Sequence, residues 1–250
     1  MARITWSCAS NYAAHGIMTT IASNLQAVRG AIIAAAAEAG RTASDVTLLA
    51  VSKTFAPDAI REAYHAGQIR FAESYVQEAL DKIVALQDLP IEWHFIGPIQ
   101  SNKTRAIAEH FAWVHSVDRL KIAERLSAQR PAHLPSLQVC LQVNIGGEAS
   151  KSGMPPGEVA QLAMKVAQLP HLDLRGLMTV PAPSDDIATQ RAAFAQLREL
   201  RDQLDRQGLP LDTLSMGMSH DFPAAIAEGA TMVRIGTAIF GNRIYLKETA

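Results

Sequence analysis

The feature that most restricts the fold of this chain is a regular alternation of short apolar runs with segments of helical periodicity. The runs that read as buried strands are 47–52, 69–73, 92–97, 113–117, 137–144, 174–180, 213–217 and 232–236. Helical periodicity fills the segments between them, for example at 59–65, 76–86, 120–129, 159–169 and 188–207, and one further helix over 21–39 precedes the first strand. Such alternation is typical of βα units arranged around a parallel sheet.

The number of units favours a closed barrel over an open sheet. Eight βα units within about 230 residues match the size of a (β/α)8 barrel. No G-x-G-x-x-G motif follows the first strand, so a doubly wound dinucleotide-binding sheet would lack its phosphate loop. No proline-rich or low-complexity linker divides the chain. We therefore predict an α/β protein with one domain over 18–250, a single TIM barrel with an extra N-terminal helix.

Composition and charge argue against several classes of partner. The 250 residues include 23 basic and 24 acidic side chains, a balance that favours neither nucleic acid nor a membrane surface. No segment reaches the length of a membrane span. Cys8 and Cys140 are too few and too far apart for a disulfide framework or a zinc site. A cytoplasmic protein without a bound metal is the prediction.

Residues 1–17 lack the continuous apolar core of a secretory signal. They are predicted to be a disordered leader. Met18 is followed by Thr19 and Thr20, which can cap a helix that begins near Ile21. Met18 would therefore serve as an initiator as well as Met1.

Lys53 is the first candidate for chemistry, because it directly follows the first apolar run. A lysine at the mouth of a barrel can be partly dehydrated, which lowers its pKa and allows the neutral amine to form a Schiff base with a carbonyl. A solvated loop lysine is the alternative interpretation.

The ends of strands seven and eight carry the features of a phosphate site, and barrels commonly hold phosphate there. Gly217 and Gly236 permit close approach of the backbone, while the hydroxyls of Ser219 and Thr237 can donate to phosphate oxygens. A helix predicted to begin near Ser219 would add backbone N–H groups. The alternative is that Ser219 only caps that helix.

Barrel closure makes strand eight the neighbour of strand one, which places Lys53 beside this phosphate cup. A ligand with a carbonyl at one end and a phosphate at the other would span both, and pyridoxal 5′-phosphate is the obvious candidate. Arg234 lies on strand eight. If it points inward, its guanidinium would face the pyridine nitrogen; a salt bridge in the barrel wall is the alternative.

Six motifs occur in order along the chain: LLAVSKT at 48–54, WHFIGPIQSNK at 93–103, SKSG at 150–153, RGLM at 175–178, LSMGMS at 214–219 and VRIGTAIFG at 233–241. In these motifs the chain resembles the YggS/PROSC family of pyridoxal phosphate homeostasis proteins over about residues 19–245. That family consists of single barrels related to the N-terminal domain of bacterial alanine racemase, the type III fold of pyridoxal phosphate proteins.

The resemblance implies that Lys53 carries pyridoxal phosphate as an aldimine and that Arg234 meets the ring nitrogen. It also implies that Ser219, Gly236 and Thr237 hold the phosphate. The predicted cofactor-binding residues are therefore Lys53, Ser219, Arg234, Gly236 and Thr237, together with Ser74 and Met216.

Three residues depart from the family pattern. The segment FAESY at 71–75 stands where the family reads Phe-Gly-Glu-Asn-Tyr, and His220 replaces an aspartate. Ala72 would be strained only if its φ were positive. Ser74 offers a hydroxyl in place of an amide, so a cofactor contact there is weakened or passed to water. We expect His220 to face solvent.

Lys103 is a candidate second amine, because the turn at 100–103 follows the third strand at the rim of the barrel. In the family, a lysine near this region has been considered for holding or passing on the cofactor. The alternative is a helix N-terminus at which Ser101 is the cap and Lys103 is exposed.

Arg234 argues for holding the cofactor over catalysis. A guanidinium stays charged and donates to an unprotonated ring nitrogen, which leaves the ring a poor electron acceptor. An amino-acid racemase of the related fold needs a second acid or base, which in alanine racemase is a tyrosine from a second domain. The four tyrosines of this chain, Tyr12, Tyr64, Tyr75 and Tyr245, have no obvious claim to that role.

A class I aldolase is a third interpretation of a lysine in a barrel, but it needs an inward lysine on a middle strand. Strand six offers Arg175, Met178 and Thr179 and no lysine. We therefore predict a monomeric, non-catalytic carrier that regulates pyridoxal phosphate and serves apo-enzymes that depend on it. A low-activity racemase is the alternative function.

Overall fold

The computed structural model describes residues 20–148 and 152–242. Four sequence features lie outside these residues: the predicted leader, Met18, the first half of the SKSG motif, and the tyrosines Tyr12 and Tyr245.

Eight parallel strands close into a barrel in the order β1 to β8, which confirms the predicted fold. The strands are β1 Thr47–Val51, β2 Arg70–Glu73, β3 Glu92–Phe95, β4 Trp113–Val117, β5 Leu137–Gln142, β6 Leu172–Met178, β7 Thr213–Ser215 and β8 Met232–Ile235. Most of them end one or two residues earlier than predicted. Single backbone hydrogen bonds to the neighbouring strand continue one residue past several of these ends, as from Ser52 N–H to the Ala72 carbonyl, so the difference lies in where a frayed strand end is drawn.

The described ranges contain nine helices. They are α1 Ile21–Glu38, α2 Pro57–His65, α3 Val76–Ala85, α4 Thr104–His110, α5 Leu120–Gln129, α6 Val159–Val166, α7 Ile187–Arg206, α8 Phe222–Ala227 and α9 Thr237–Phe240. None of these helices is long and apolar enough to cross a membrane. Across the same residues, no group of three or more potential ligands could hold a metal ion.

Helix α1 is the predicted extra helix, and it compensates for the short α9. Its N-terminus is capped by Thr20, whose Oγ1 accepts from the Ser23 N–H at 3.2 Å. It packs against α2, α8 and α9, and the Asn24 side chain donates to the Ile239 carbonyl at 2.8 Å. Since α9 has only four residues, α1 covers the outer face where the barrel closes.

Side chains alternate between two apolar clusters along the strands. The larger cluster lies between the barrel wall and the helices and contains Ala50 and Phe71. The smaller one fills the inside of the barrel and contains Leu49, Ala72 and Trp113. The position of a residue along its strand, odd or even, therefore decides whether its side chain faces the barrel interior or the helices.

Strand β8 lies beside β1, as predicted. Leu49 is the register partner of Arg234, and Ala50 is the partner of Ile235. The residues that follow the first strand and those that follow the last strand thus lie in the same sector of the carboxyl rim.

Gly176 on β6 is a position where the barrel tolerates no side chain. It pairs with Thr213 of β7, and a Cβ built at Gly176 would lie 1.8 Å from the Thr213 carbonyl oxygen. The two strands would have to separate to admit even a methyl group.

We expect Gly176→Ala to lower the free energy of unfolding by about 3 kcal/mol, because it overpacks a strand pair that cannot relax. Gly30→Ala is the matched control. Gly30 is exposed in the interior of α1 with nothing within 4 Å of a built Cβ, so this change should raise stability by about 1 kcal/mol. Urea denaturation of both variants measures the difference. A Gly176→Ala protein as stable as the wild type would contradict the packing described here.

Candidate functional site

Lys53 lies in a tight turn that directly follows β1, and it is half-buried. The Ser52 carbonyl accepts from the Phe55 N–H across this turn at 3.1 Å. Thr54, at the third position, has a φ of +71°, a left-handed conformation that is costly for a β-branched residue. Glu78 of α3 accepts from the Thr54 N–H at 2.5 Å and helps to hold the strained turn.

A buried ion-pair network between β1, β2 and α3 supports this turn from the helical side. Lys82 Nζ donates to the Ser52 carbonyl at 2.8 Å, to Glu73 Oε1 at 2.7 Å and to Glu78 Oε1 at 2.5 Å. The Ser52 hydroxyl also donates to Glu73 Oε1, at 2.7 Å. Both backbone groups next to Lys53 are therefore held by side chains of α3.

The Glu73 carboxylate is costly to bury in this network. Its side chain is 0 % exposed and that of Lys82 is 4 % exposed. The second oxygen, Oε2, is buried and has no hydrogen-bond partner among the described residues. Burial raises the pKa of Glu73 above its ordinary value, against the opposing effect of Lys82. Lys82 is thus needed to keep this carboxylate charged.

Arg234 points into the barrel and is 3 % exposed. Its Nη1 donates to Ser215 Oγ and its Nη2 to the Thr179 carbonyl, each at 2.8 Å. Within the described part of the chain, no carboxylate lies at ion-pair distance from it, so the alternative of a salt bridge in the wall is wrong. Burial lowers the pKa of Arg234 to about 10, which leaves the guanidinium protonated at neutral pH.

Further polar side chains continue from Arg234 through the inside of the barrel. His115 Nδ1 lies 2.8 Å from Ser215 Oγ, and His115 Nε2 lies 2.9 Å from His94 Nδ1. His94 Nε2 lies 2.9 Å from Glu92 Oε1 at the amino end of β3. Burial lowers the pKa of both histidines, and it lowers that of His115 to well below the ordinary value.

Sequence reasoning assigned no role to His94, His115, Ser215 or Lys82. Two signals were available: polar residues inside apolar strand runs, and the spacing of Glu78 and Lys82 at i and i+4 on one helix face. Neither signal says which partner a side chain meets across the barrel.

The predicted phosphate cup is built from the ends of β7 and β8. Gly217 has a φ of +94°, and a Cβ there would lie 2.6 Å from the Ala225 Cβ, so only glycine fits. A Cβ at Gly236 would lie 3.2 Å from the Val51 carbonyl oxygen, which places this turn against the end of β1. Thr237 is exposed at the first position of α9, where helix N–H groups lack intrahelical partners.

Ser219 does not cap α8, so this alternative is wrong. The helix begins at Phe222, and Asp221 is its N-terminal boundary residue. Asp221 Oδ1 accepts from the Met218 N–H at 2.6 Å and holds the turn in which Ser219 lies. Among the described residues, no hydrogen bond engages the Ser219 hydroxyl.

Two further candidate residues take different positions. Ser74 is half-buried at the end of β2, and its backbone oxygen would lie 2.1 Å from a Cβ at Gly97 of the next strand. Met216 is fully buried in the outer cluster, on the opposite side of β7 from Ser215. The Met216 side chain therefore does not share the barrel interior with Arg234.

The remaining predictions concern single residues. Ala72 is buried inside the barrel and is not among the residues with positive φ, so its departure from glycine is unstrained. His220 is exposed, as expected. Lys103 is exposed at the end of a 3-10 turn before α4, and the Ser101 carbonyl, not its hydroxyl, accepts from Thr104 Oγ1 at 2.9 Å.

We expect Lys82→Met to lower the free energy of unfolding by about 3 kcal/mol, because it leaves the Glu73 carboxylate buried without a partner. Adding Glu73→Gln should recover part of this loss. The control is Lys121→Met on the exposed face of α5, which should stay within about 0.5 kcal/mol of the wild type. Urea denaturation at pH 7 measures all four proteins, and equal stability of the two lysine variants would refute the ion-pair network.

The buried histidines predict a loss of stability in mild acid. Folded His115 stays neutral, whereas in the unfolded chain it takes up a proton as the pH falls through about 6.5. Below about pH 6.5 the unfolded state thus binds more protons than the folded state. The free energy of unfolding therefore decreases as the pH decreases. Between pH 7 and pH 5.5 the wild type should lose about 1 kcal/mol more than His115→Gln does. Urea denaturation at both pH values tests this, and parallel losses in the two proteins would contradict it.

Comparison with known proteins gives a consistent assignment. The model of the alanine racemase N-terminal domain matches residues 15–243. The pyridoxal phosphate homeostasis protein of Pseudomonas aeruginosa is 63% identical over 228 residues, which cover 91% of this chain and 98% of that protein. Its counterpart in Escherichia coli K12 is 54% identical over 234 residues, 92% of this chain and 100% of that protein.

A solved structure supports the same assignment. PipY of Synechococcus elongatus, in a structure with pyridoxal phosphate bound, superposes with a TM-score of 0.78 at 40% identity, over 88% of this chain and 100% of that one. Sequence and fold thus agree over almost the whole described barrel. The chain belongs to the family of pyridoxal phosphate homeostasis proteins, whose barrel is that of the alanine racemase N-terminal domain.

Proposed function

We propose that this chain binds pyridoxal 5′-phosphate at the carboxyl end of its barrel and regulates the supply of this cofactor without catalysing a reaction on it. The names of its relatives and the cofactor in the PipY structure support the ligand. The observation that carries the non-catalytic role is the buried, donor-only Arg234 at the centre of the site.

The residues present fit this cofactor. Lys53 is the amine that would hold it covalently, on a turn fixed from behind by α3. Ser219 and the backbone at Gly236 and Thr237 would hold the phosphate, since the Ser219 hydroxyl is not used by the helix that follows. Arg234 has N–H groups beyond the two bonds to Ser215 and Thr179, and these can donate to a ring nitrogen.

Arg234 limits what the site can do with the cofactor. When bound, pyridoxal phosphate supplies an aldehyde for amines and, if its ring nitrogen is protonated, a strong electron acceptor. A guanidinium with a pKa of about 10 remains a donor at neutral pH, so Arg234 binds the unprotonated nitrogen. This arrangement supports tight holding and gives little help to breaking bonds in a substrate.

A low-activity racemase is the second candidate, and it requires an acid or base opposite Lys53. Tyr64 packs edge-on against His65 near the end of α2, far from the carboxyl rim in a barrel of this kind. Tyr75 is 55 % exposed before α3. Neither tyrosine has a hydrogen-bond partner among the described residues that would orient it as a catalytic group.

The remaining parts of the proposal concern partners and location. We infer that the protein acts as a monomer, delivers the cofactor to apo-enzymes that depend on it, and works in the cytoplasm. Cys140 is a free thiol buried in the barrel, and burial raises its pKa to about 12, which keeps it unreactive. Lys103 is exposed and accessible to a recipient protein.

The test of cofactor binding uses purified protein incubated with pyridoxal phosphate, reduced with borohydride and digested for mass spectrometry. The label should fall on Lys53. Lys53→Ala should lose the covalent label and the visible absorption band, while Lys103→Ala, at an exposed lysine of the same rim, should keep both. A fully labelled Lys53→Ala protein would contradict the assignment of Lys53 as the residue that holds the cofactor covalently.

The carrier is separated from the racemase by incubation of the loaded protein with L-alanine in deuterated water. A carrier should leave the α-hydrogen unexchanged over many equivalents of amino acid. Rapid α-deuteration, followed by NMR, would contradict the non-catalytic role and favour the racemase.

A further inference from the structure

A line of polar side chains crosses the inside of the barrel from the carboxyl end to the amino end. It consists of Arg234, Ser215, His115, His94 and Glu92, joined by the four contacts of 2.8 to 2.9 Å described above. The two ends of this line have fixed roles. Arginine only donates hydrogen bonds, and an ionised carboxylate only accepts them.

The arginine end leaves two directions for the next bond, because a serine hydroxyl oxygen can accept two hydrogen bonds and donate one. Arg234 Nη1 donates to Ser215 Oγ, so the single hydroxyl hydrogen of Ser215 is available for His115 Nδ1. If the hydroxyl hydrogen points to His115 Nδ1, this nitrogen is an acceptor and the neutral ring carries its hydrogen on Nε2. That hydrogen is directed to His94 Nδ1.

The carboxylate end selects between these two directions. Glu92 Oε1 faces His94 Nε2 and also accepts from Arg70 Nε at 3.0 Å, which favours its charged form. His94 Nε2 must therefore carry a hydrogen, which leaves His94 Nδ1 as an acceptor. If the line ran in the reverse direction, His94 Nδ1 would carry the hydrogen. His94 Nε2 would then either face the Glu92 carboxylate without a hydrogen, or carry a second proton on the buried ring. The lowered pKa of each histidine argues against that proton.

The surroundings of the two histidines are apolar and keep their bonds to each other and to Ser215 dry, while Glu92 at the amino end is partly exposed. His94 stacks on Trp113 with ring centroids 5.6 Å apart, and both histidines are fully buried. Cys140 and Met178 belong to the same interior cluster. In such an environment hydrogen bonds strengthen, and bonds that point the same way polarise one another.

We infer that His94 and His115 are neutral Nε2–H tautomers in a one-way line of donors from Arg234 to Glu92, and that this line positions Arg234 for the ring nitrogen of the cofactor. The tautomers follow from the protein alone, whereas the positioning role rests on the proposed function. Ser215 and the Thr179 carbonyl each occupy one end nitrogen of the guanidinium, so the plane of the group is fixed.

The first test reads the tautomers directly by ¹⁵N NMR of the full-length chain labelled at histidine, without added cofactor. Two histidines should show a protonated Nε2 and an acceptor Nδ1 at pH 8 and at pH 7. A doubly protonated ring or an Nδ1–H tautomer at either position would overturn the inference. Because no cofactor is present, this result does not depend on the proposed function.

The second test measures the positioning role with three variants. His115→Leu should weaken pyridoxal phosphate binding about tenfold and shift the visible band of the bound cofactor, because the line to Arg234 is broken. His115→Gln, whose amide can both accept and donate, should restore binding and spectrum. His133→Leu, at an exposed histidine, should match the wild type.

The outcomes separate the two proposals. If the wild-type protein takes up no cofactor, the proposed function fails while the NMR result still decides the tautomers. If His115→Leu is folded by circular dichroism and binds the cofactor with wild-type affinity and spectrum, the positioning role is overturned. If this variant does not fold, His115→Gln decides: it should bind like the wild type, and a loss of cofactor despite native structure would contradict the inference.

Discussion

The pairing of β1 with β8 is the constraint on which the rest of this structure depends. It closes the sheet and places Leu49 opposite Arg234, so that groups from the two ends of the chain meet at one rim. In an open sheet, Lys53 and the cup at Gly236 would lie on opposite edges. Closure also explains α1, since the short α9 leaves the seam between these two strands to be covered by the helix that precedes β1.

Much of this could be predicted from the sequence, because the relevant signals are local. The strand runs and the helix Leu120–Gln129 follow from apolar periodicity, and the closed topology follows from the number of units. Lys53 and Arg234 could be singled out because functional groups of a barrel gather where its strands end. The fold then placed β1 and β8, which carry them to the rim, side by side, and no local pattern contains this pairing.

Sequence reasoning failed or was silent where local signals were ambiguous or where contacts crossed the barrel. Ser219 and Asp221 are both good residues for a helix start, and only the structure shows that α8 begins after Asp221. Strand β7 has three residues, too few for alternation to show that Met216 turns away from Ser215. Lys82 reads as a surface residue of an amphipathic helix, yet it is buried because its partner Glu73 lies on the neighbouring strand.

The buried charges of Glu73 and Arg234 are compensated in different ways, and the difference matches the role proposed for each group. Glu73 supports the backbone beside Lys53, so a direct ion pair with Lys82 is sufficient. Under the proposed function Arg234 keeps N–H groups for the cofactor, and a carboxylate in contact with it would occupy those donors and compete with the ring nitrogen. The buried Asp221 carboxylate favours the charged form of Arg234 from beyond ion-pair distance, while a line of neutral groups leads from Arg234 to Glu92. Compensation of this kind keeps the cation oriented and available, which suits a protein that holds its cofactor more than one that uses it.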